Sequence, residues 1–443
     1  MPTGRRRRAI CLSVTLALPV GALAACGGGS TSGVEAGDGR GSISVWAHQG
    51  QDSENKALQN AVAAFNRTQS EVKAGLKLIP GNDYTKTITA AAPSELPDVM
   101  EFDGPNMANF VYNEKLAPLN DFVPKGTVAN ATKAIAQQGT VGDDLYGLAM
   151  YDSGLGLYGN KKLLDAAGVD YPKSAGEAWT ADEFSAALTK LAAKDPDRKV
   201  LDLQEANGMA TEWGTYGFSP VLWSAGGRLV GDDGKASGSL DSDAAVAGLK
   251  TFQSWKPLVD PNTDGNAMAE RKVALSWVGH WMYPAYDKAL GKDLVVMPLP
   301  DFGKGPKTGQ GSWAWGIGSD TKNGKAAGKF LEFLLNDDNV TAMTEANGAP
   351  PATESALAKS RLYGENGPLQ LFAEQLSVPC GVNRITPTCV ATTRPVTAGY
   401  PVVTGEFSKA LNAIYGGADP KAELSKAARA IDRDFADNDG YAY

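Results

Sequence analysis

The sequence predicts an α/β chain with at least two layered domains. Three observations carry this. Its 443 residues exceed what one hydrophobic core ordinarily holds. Short β-branched runs alternate with helical apolar spacing from Ser42 onward. No repeat of fixed period appears, which argues against a solenoid. Hydrophobic residues at 43% and charged residues at 21% describe an ordinary globular body.

The first 25 residues stand apart. MPTGRRRRAICLSVTLALPVGALAA has a four-arginine start and an apolar stretch from Ile10 to Leu23, with small residues before Cys26. That is the pattern of an export signal, and its apolar run is too short for a good spanning helix. Removing residues 1–25 takes four arginines with it and moves the formal charge from −8 to −12. So acidic a body argues against nucleic acid as a partner, because phosphate backbones need Lys/Arg surfaces. It argues equally against attraction to anionic lipid. Residues 26–41, rich in Gly, Ser and Thr without apolar periodicity, read as a flexible tether.

Ser42–Ala47 (SISVWA) reads as the first strand. A helix follows, with Asp52 and Ser53 as candidate N-caps and Leu58, Val62 and Phe65 at helical spacing. Apolar pulses at Leu76–Ile79 and Asp98–Phe102 are two more strands. GLAMYDSGLGLYGN (147–160) is strand-like and runs into the helical NKKLLDAAGV. Trp179–Asp182 opens a helix with Phe184, Leu188 and Leu191 on one face. KVALSWVGHW, DLVVMPLP and SWAWGIG are further strands, and KAAGKFLEFLLN a helix. The last helix, Asp419 to Phe435, places Leu424, Ala428, Ile431 and Phe435 on one face behind an Asp-Pro start.

Catalytic and metal motifs are mostly missing. The two histidines, His48 and His280, exclude HExxH and any histidine-rich site. No nucleophile elbow or P-loop is present, and no metal or cofactor is expected. Gly154–Gly159 matches GxGxxG, but inside a strand-like run where a dinucleotide motif should come after one. Asp260–Gly265 mimics the front of a calcium loop. Its twelfth position is Arg271, so a polar loop is the expectation. Cys380 and Cys389 flank eight residues and read as a disulfide, with a metal or redox pair as the alternative. Asp103 and Asp152 end strand-like segments just ahead of glycines, where open α/β sheets hold ligands; a turn or cap role is the other reading. ALSWVGHWMYPAY (274–286) packs Trp277, Trp281, Tyr283 and Tyr286 around His280, in a chain that is 8% aromatic.

Together these stretches resemble the extracellular solute-binding proteins, family 1, of bacterial carbohydrate ABC importers. The segments that carry the resemblance are PDVMEFDGPNMANF (97–110), YDSGLGLYGNKKLL (151–164), KVALSWVGHWMYPAY (272–286), VVMPLPDFGKG (295–305), GSWAWGIGSDTKNGKAAGKFLEFLL (311–335) and RPVTAGYPVVTGEFSKALNAI (394–414). The resemblance implies an α/β, two-lobe periplasmic-binding-protein-like fold of type II. Crossings fall near Tyr151–Asp152, between Pro300 and Ser312, and near Ala349–Pro351. Lobe 1 would take residues 42–151 and 312–350, lobe 2 residues 152–311 and 351–443. Leu23-Ala24-Ala25-Cys26 resembles a lipobox, which implies acylation of Cys26 and a lipid anchor at the extracellular face of the membrane; plain secretion is the alternative.

The implied function is that of a monomeric, non-enzymatic receptor that captures a mono- or oligosaccharide and delivers it to an importer permease. Sugars present C–H faces to indoles, and hydroxyls to Asp acceptors and Arg donors. The expected ligand-binding residues are Trp46, Trp281, Trp313, Arg394 and Tyr400 by position in the family pattern, Asp103 and Asp152 by their place at strand ends, and Asp83 in PGNDY as an addition. Trp277 reads as core, Trp313 is preferred to Trp315, and His280 is either a turn residue or a ligand. Two competing functions are a binder of a sugar or polyol phosphate such as glycerol phosphate, which would want clustered Arg, and a secreted glycan hydrolase, which would need two positioned carboxylates.

Overall fold

In the computed structural model the alternation resolves into two main sheets, each with its own core. The structure describes residues 33–381 and 384–441; the expected export signal and Cys26, the expected lipidation position, lie outside the described residues. The strands, in chain order, are β1 Gly41–Gln49, β2 Val72–Pro80, β3 Val99–Asp103, β4 Leu116–Ala117, β5 Thr140–Val141, β6 Asp144–Leu145, β7 Leu155–Asn160, β8 Leu201–Asp202, β9 Leu275–Gly279, β10 Leu294–Met297, β11 Thr308–Gln310, β12 Trp313–Gly318 and β13 Ala391–Thr393.

The first sheet has the order β2-β1-β3-β12-β4. β1 is parallel to β2 and β3, while β12 runs antiparallel to β3 and β4. β1 alternates, burying Ile43, Val45 and Ala47, so one face of it meets the core. β3 (VMEFD) is buried at every position, as a central strand covered on both faces must be. Helix Asp52–Thr68 turns Leu58, Val62 and Phe65 onto this sheet, and helices Gly324–Leu334 and Asp337–Asn347 complete the core.

The second sheet has the order β10-β7-β9-β8, with β7 antiparallel to both β10 and β9. Its larger core is closed by helices Ala181–Ala192, Glu212–Ala225, Asp243–Ser254, Tyr400–Tyr415 and Pro420–Asp437. Two of these helices start where the sequence placed their openings, and side chains cap both. Thr180 and Glu183 form a reciprocal capping box, and Asp419 accepts from the Ala422 amide at 2.8 Å.

Several local expectations change. Helix Asp52–Thr68 has Gln51 at its N-cap with no side-chain cap; Asp52 and Glu54 instead sit in its first turn, favourably for the helix dipole. Residues 148–154 are not strand. They form isolated bridges, Leu148 with Trp315, Tyr151 with Pro351 and Gly154 with Gln310, because three separate segments partner them and no ladder can extend. The expected tether also ends earlier than Gly41. Helix Gly324–Leu334 needs acceptors for its first amides, and Gly324 N and Lys325 N donate to the Glu35 and Ala36 carbonyls at 3.0 and 2.8 Å.

Helix Glu212–Ala225 escaped notice because nearly all of it is buried and it contains Gly214, Gly217 and Pro220, so no 3.6-residue stripe marks it. Cys380 and Cys389 form a disulfide. The Asp260–Gly265 loop turns on its own side chains: Asp260 accepts from Asn262 N at 2.9 Å, and Asn262 accepts from Gly265 N at 2.8 Å.

Trp277 is fully buried on β9, and its Nε1–H donates to the Gly217 carbonyl at 2.9 Å. Trp277→Ala should cost about 3–5 kcal/mol of stability, read as a lower midpoint in chemical denaturation.

Candidate functional site

Strand register brings the ends of the two sheets together. Trp313 at the start of β12 lies opposite Asp103 at the end of β3. β11 and β13 pair in parallel with Gln310 opposite Thr393, so Gly311 and Arg394 leave side by side. Gly311 has φ 141°, and a Cβ there would lie 3.1 Å from Arg394 Nη2; glycine is what lets the guanidinium pass. In the other sheet Leu155 opposes Gly279, which places Ser153 beside His280.

These ends enclose a cleft of about 270 Å³ whose lining includes Glu54, Tyr151, Ser153, Trp213, Tyr216, Trp281 and Trp313. Arg394 is its electrostatic centre. Nη1 and Nη2 each donate to one Asp103 oxygen at 2.9 Å, and Nη1 also donates to Glu212 at 2.7 Å. The guanidinium stacks over Tyr216, 4.6 Å from the ring centroid. Glu212 also accepts from Tyr400 Oη and, at 2.7 Å, from Thr404 Oγ1. Burial pushes the Glu212 carboxyl above the usual range, against the opposing pull of Arg394.

The two histidines sit in opposite surroundings. His48 stacks on Trp313 at 3.8 Å between centroids and 7° between planes. Its Nδ1 is 2.7 Å from Glu101. Burial alone would lower the His48 pKa, but Glu101 outweighs it and raises the value above 6.5. His280 makes no hydrogen bond to a carboxylate among the described residues, and burial outweighs the pull of the Asn347 carbonyl and Glu54 to lower its pKa to about 4. The neutral ring completes a relay. Tyr216 Oη donates to Ser153 Oγ at 2.9 Å, Ser153 Oγ lies 3.1 Å from His280 Nε2, and His280 Nδ1 lies 3.1 Å from the Asn347 carbonyl. The carbonyl can only accept, so Nδ1 carries the proton and Nε2 accepts from Ser153.

Of the residues expected at the site, Asp103, Trp281, Trp313 and Arg394 line the cleft. Asp152 lies behind it, 2.8 Å from both Gln310 Nε2 and the Ser153 amide, with burial raising its carboxyl pKa. Tyr400 is fully buried and reaches the cleft only through Glu212. Trp46 is not among the lining residues. It lies two residues before His48, about 7 Å back along β1, with Lys77 Nζ 4.5 Å from its ring centroid. Asp83 is exposed in the first turn of helix Gly81–Ala90, also away from the cleft. Trp277 and Trp315 are core.

The sequence reading missed His48, Glu54, Glu212, Trp213 and Tyr216 as cleft residues. The available signal was the spacing Glu212-Trp213-x-x-Tyr216, which groups carboxylate and rings within one helical turn. A larger cavity of about 750 Å³ lies near Arg228 and Arg384. Its Trp223 is 2% exposed and Arg228 is committed to Asp232 and the Ile385 carbonyl, so it presents less recognition chemistry.

Two α/β lobes meeting at such a cleft define the periplasmic-binding-protein class of fold. The chain belongs to the bacterial extracellular solute-binding protein family, whose model matches residues 50–341. A maltodextrin-binding protein of Bacillus subtilis is 25% identical over 304 residues, 63% of this chain and 69% of that protein. A maltooligosaccharide ABC transporter solute-binding lipoprotein of Streptococcus pneumoniae is 26% identical over 239 residues, 51% of this chain and 52% of its own length. Among solved structures, a Thermotoga lettingae ABC transporter solute-binding protein bound with α-D-tagatose superposes with a TM-score of 0.73, at 24% identity, covering 88% of this chain and 99% of that one.

Arg394→Met would leave two carboxylates facing each other without a cation. It should lower the unfolding free energy by about 3–5 kcal/mol, with Arg394→Lys restoring only part because a lysine cannot fork; denaturant titration checks both. Ring-proton NMR should show one histidine titrating above 6.5 and the other near 4. Stability follows with opposite signs. The His48 contribution is full below pH 6.5 and is lost as pH rises through its folded value; the His280 contribution is full above 6.5 and declines as pH falls toward about 4.

Proposed function

We propose that the protein captures a mono- or oligosaccharide between its two lobes and hands it to the permease of an ABC importer. An acyl anchor on Cys26 holds it at the outer face of the cell membrane. The division at about 151–152, 311–312 and 350–351 makes these the segments about which the lobes close. The observation that carries the reading is the pair of half-buried indoles, Trp281 beyond β9 and Trp313 on β12, brought from different sheets to one cleft. Trp213 packs edge-on against Trp281 at 6.0 Å and Tyr216 lies 6.3 Å from it. The ring walls are therefore held in place before a ligand arrives, which lowers the entropy cost of binding.

Hydroxyls around a sugar ring would find acceptors in Glu54 and Glu212 and donors in Asn207 and the indole N–H groups of Trp281 and Trp313, the Trp213 N–H being held by the Leu203 carbonyl. A sugar phosphate is disfavoured, because Arg394, the one Lys or Arg among the described lining residues, is already committed to Asp103 and Glu212. The maltodextrin and maltooligosaccharide names of the two bacterial relatives support a carbohydrate ligand, and the lipoprotein name of one supports the anchor.

Trp281→Ala should weaken sugar binding by about 1–3 kcal/mol, on the scale of ring stacking by aromatic side chains, while changing stability less than Trp277→Ala does. Titration calorimetry against a panel of sugars and sugar phosphates tests both the ligand class and the residue. Unchanged affinity with a large fall in melting temperature would assign Trp281 to the core. New reducing ends after incubation with glycans would favour a hydrolase instead.

A further inference from the structure

The charge of the cleft is out of balance. Glu54, Asp103 and Glu212 line it against one guanidinium and the His48 imidazole. The Arg394 side chain is 4% exposed, and both its terminal nitrogens are spent on Asp103 and Glu212. His48 stacks on Trp313 and pairs with Glu101, so this acid–base pair adds no net positive charge to the cleft. Asp152 is set back and held by Gln310 and the Ser153 amide.

The unmatched acceptor is Glu54. Its Oε1 accepts from Tyr151 Oη at 2.6 Å and from Asn347 Nδ2 at 3.2 Å. Its Oε2 has no hydrogen-bond donor among the described residues. Closing the lobes on a ligand removes water from this carboxylate, and an ionised group that loses its hydration needs a donor and, better, a counter-charge. A sugar hydroxyl supplies the donor alone. An ammonium supplies both, and hydrogen bonds between charged partners are about twice as strong as neutral ones. The walls agree with this charge. Trp213, Tyr216, Trp281 and Trp313 share the cleft with Glu54, and the faces of aromatic rings attract cations.

We propose that the cleft takes a basic carbohydrate, a sugar bearing an ammonium group that sits against Glu54 while its ring faces cover the indoles. This rests on the carbohydrate reading above and narrows its ligand class.

The test is titration calorimetry of the protein with matched hydroxyl, amine and acetamide sugars: glucose, glucosamine and N-acetylglucosamine, galactose with its two counterparts, and the corresponding β-1,4-linked disaccharides. Glucose 6-phosphate is added as the anionic member. At pH 7 the amine should bind about tenfold more tightly than both neutral partners in at least one set. That ratio should shrink as salt is raised, and Glu54→Gln should bring it close to one. Should Glu54→Gln fail to fold, the salt dependence of the ratio in the unaltered protein decides in its place. Equal or weaker binding of the amines than of the neutral sugars overturns the proposal and leaves the carbohydrate reading standing. A protein that binds only the phosphate, or none of these sugars, fails the carbohydrate reading itself.

Discussion

A guanidinium held between two carboxylates is the constraint on which the cleft depends. Asp103 ends a strand of the first sheet, Glu212 begins a helix packed on the second sheet, and Arg394 follows a two-stranded pairing beside Gly311. The three side chains hold these elements at a set spacing. Such a cluster is a poor source of net stability, because desolvation offsets much of the attraction. Its effect is geometric. The fork geometry of arginine admits few arrangements of its partners, and Tyr216 beneath the guanidinium narrows them further.

That arrangement decides what the cleft can offer a ligand. With its cation committed, the site presents carboxylate oxygens, hydroxyls and aromatic faces. The Tyr216–Ser153–His280–Asn347 relay extends the same logic through neutral groups. Burial keeps His280 uncharged, and the relay ties the end of strand β9 to the helix that ends at Asn347. Rings and acceptors are thus positioned by side chains that have little freedom of their own, as preorganised binding requires.

Much of the fold was legible because its signals are local. The β1 alternation, the Trp179–Asp182 opening and the Asp419-Pro420 start each lie within a few residues, and each produced the element expected. Failures came where locality ends. Residues 148–154 look like a strand and form only isolated bridges to three other segments. Helix Glu212–Ala225, buried all round, has no polar face to set its period. Trp46 and His48 share a face of β1, yet only the second reaches the cleft, a matter of two residues along a strand whose end the sequence does not mark.

By itself the sequence determined the alternation that makes an α/β chain, the export pattern at the N-terminus and the concentration of rings near residue 280. Only the tertiary structure decided which indoles stay half exposed, and that Arg394 binds protein carboxylates where a ligand contact was expected. Asp103 and Arg394 stand 291 positions apart. A pairing over that distance is set by strand register and by the packing of two cores, and no run of neighbouring residues encodes it.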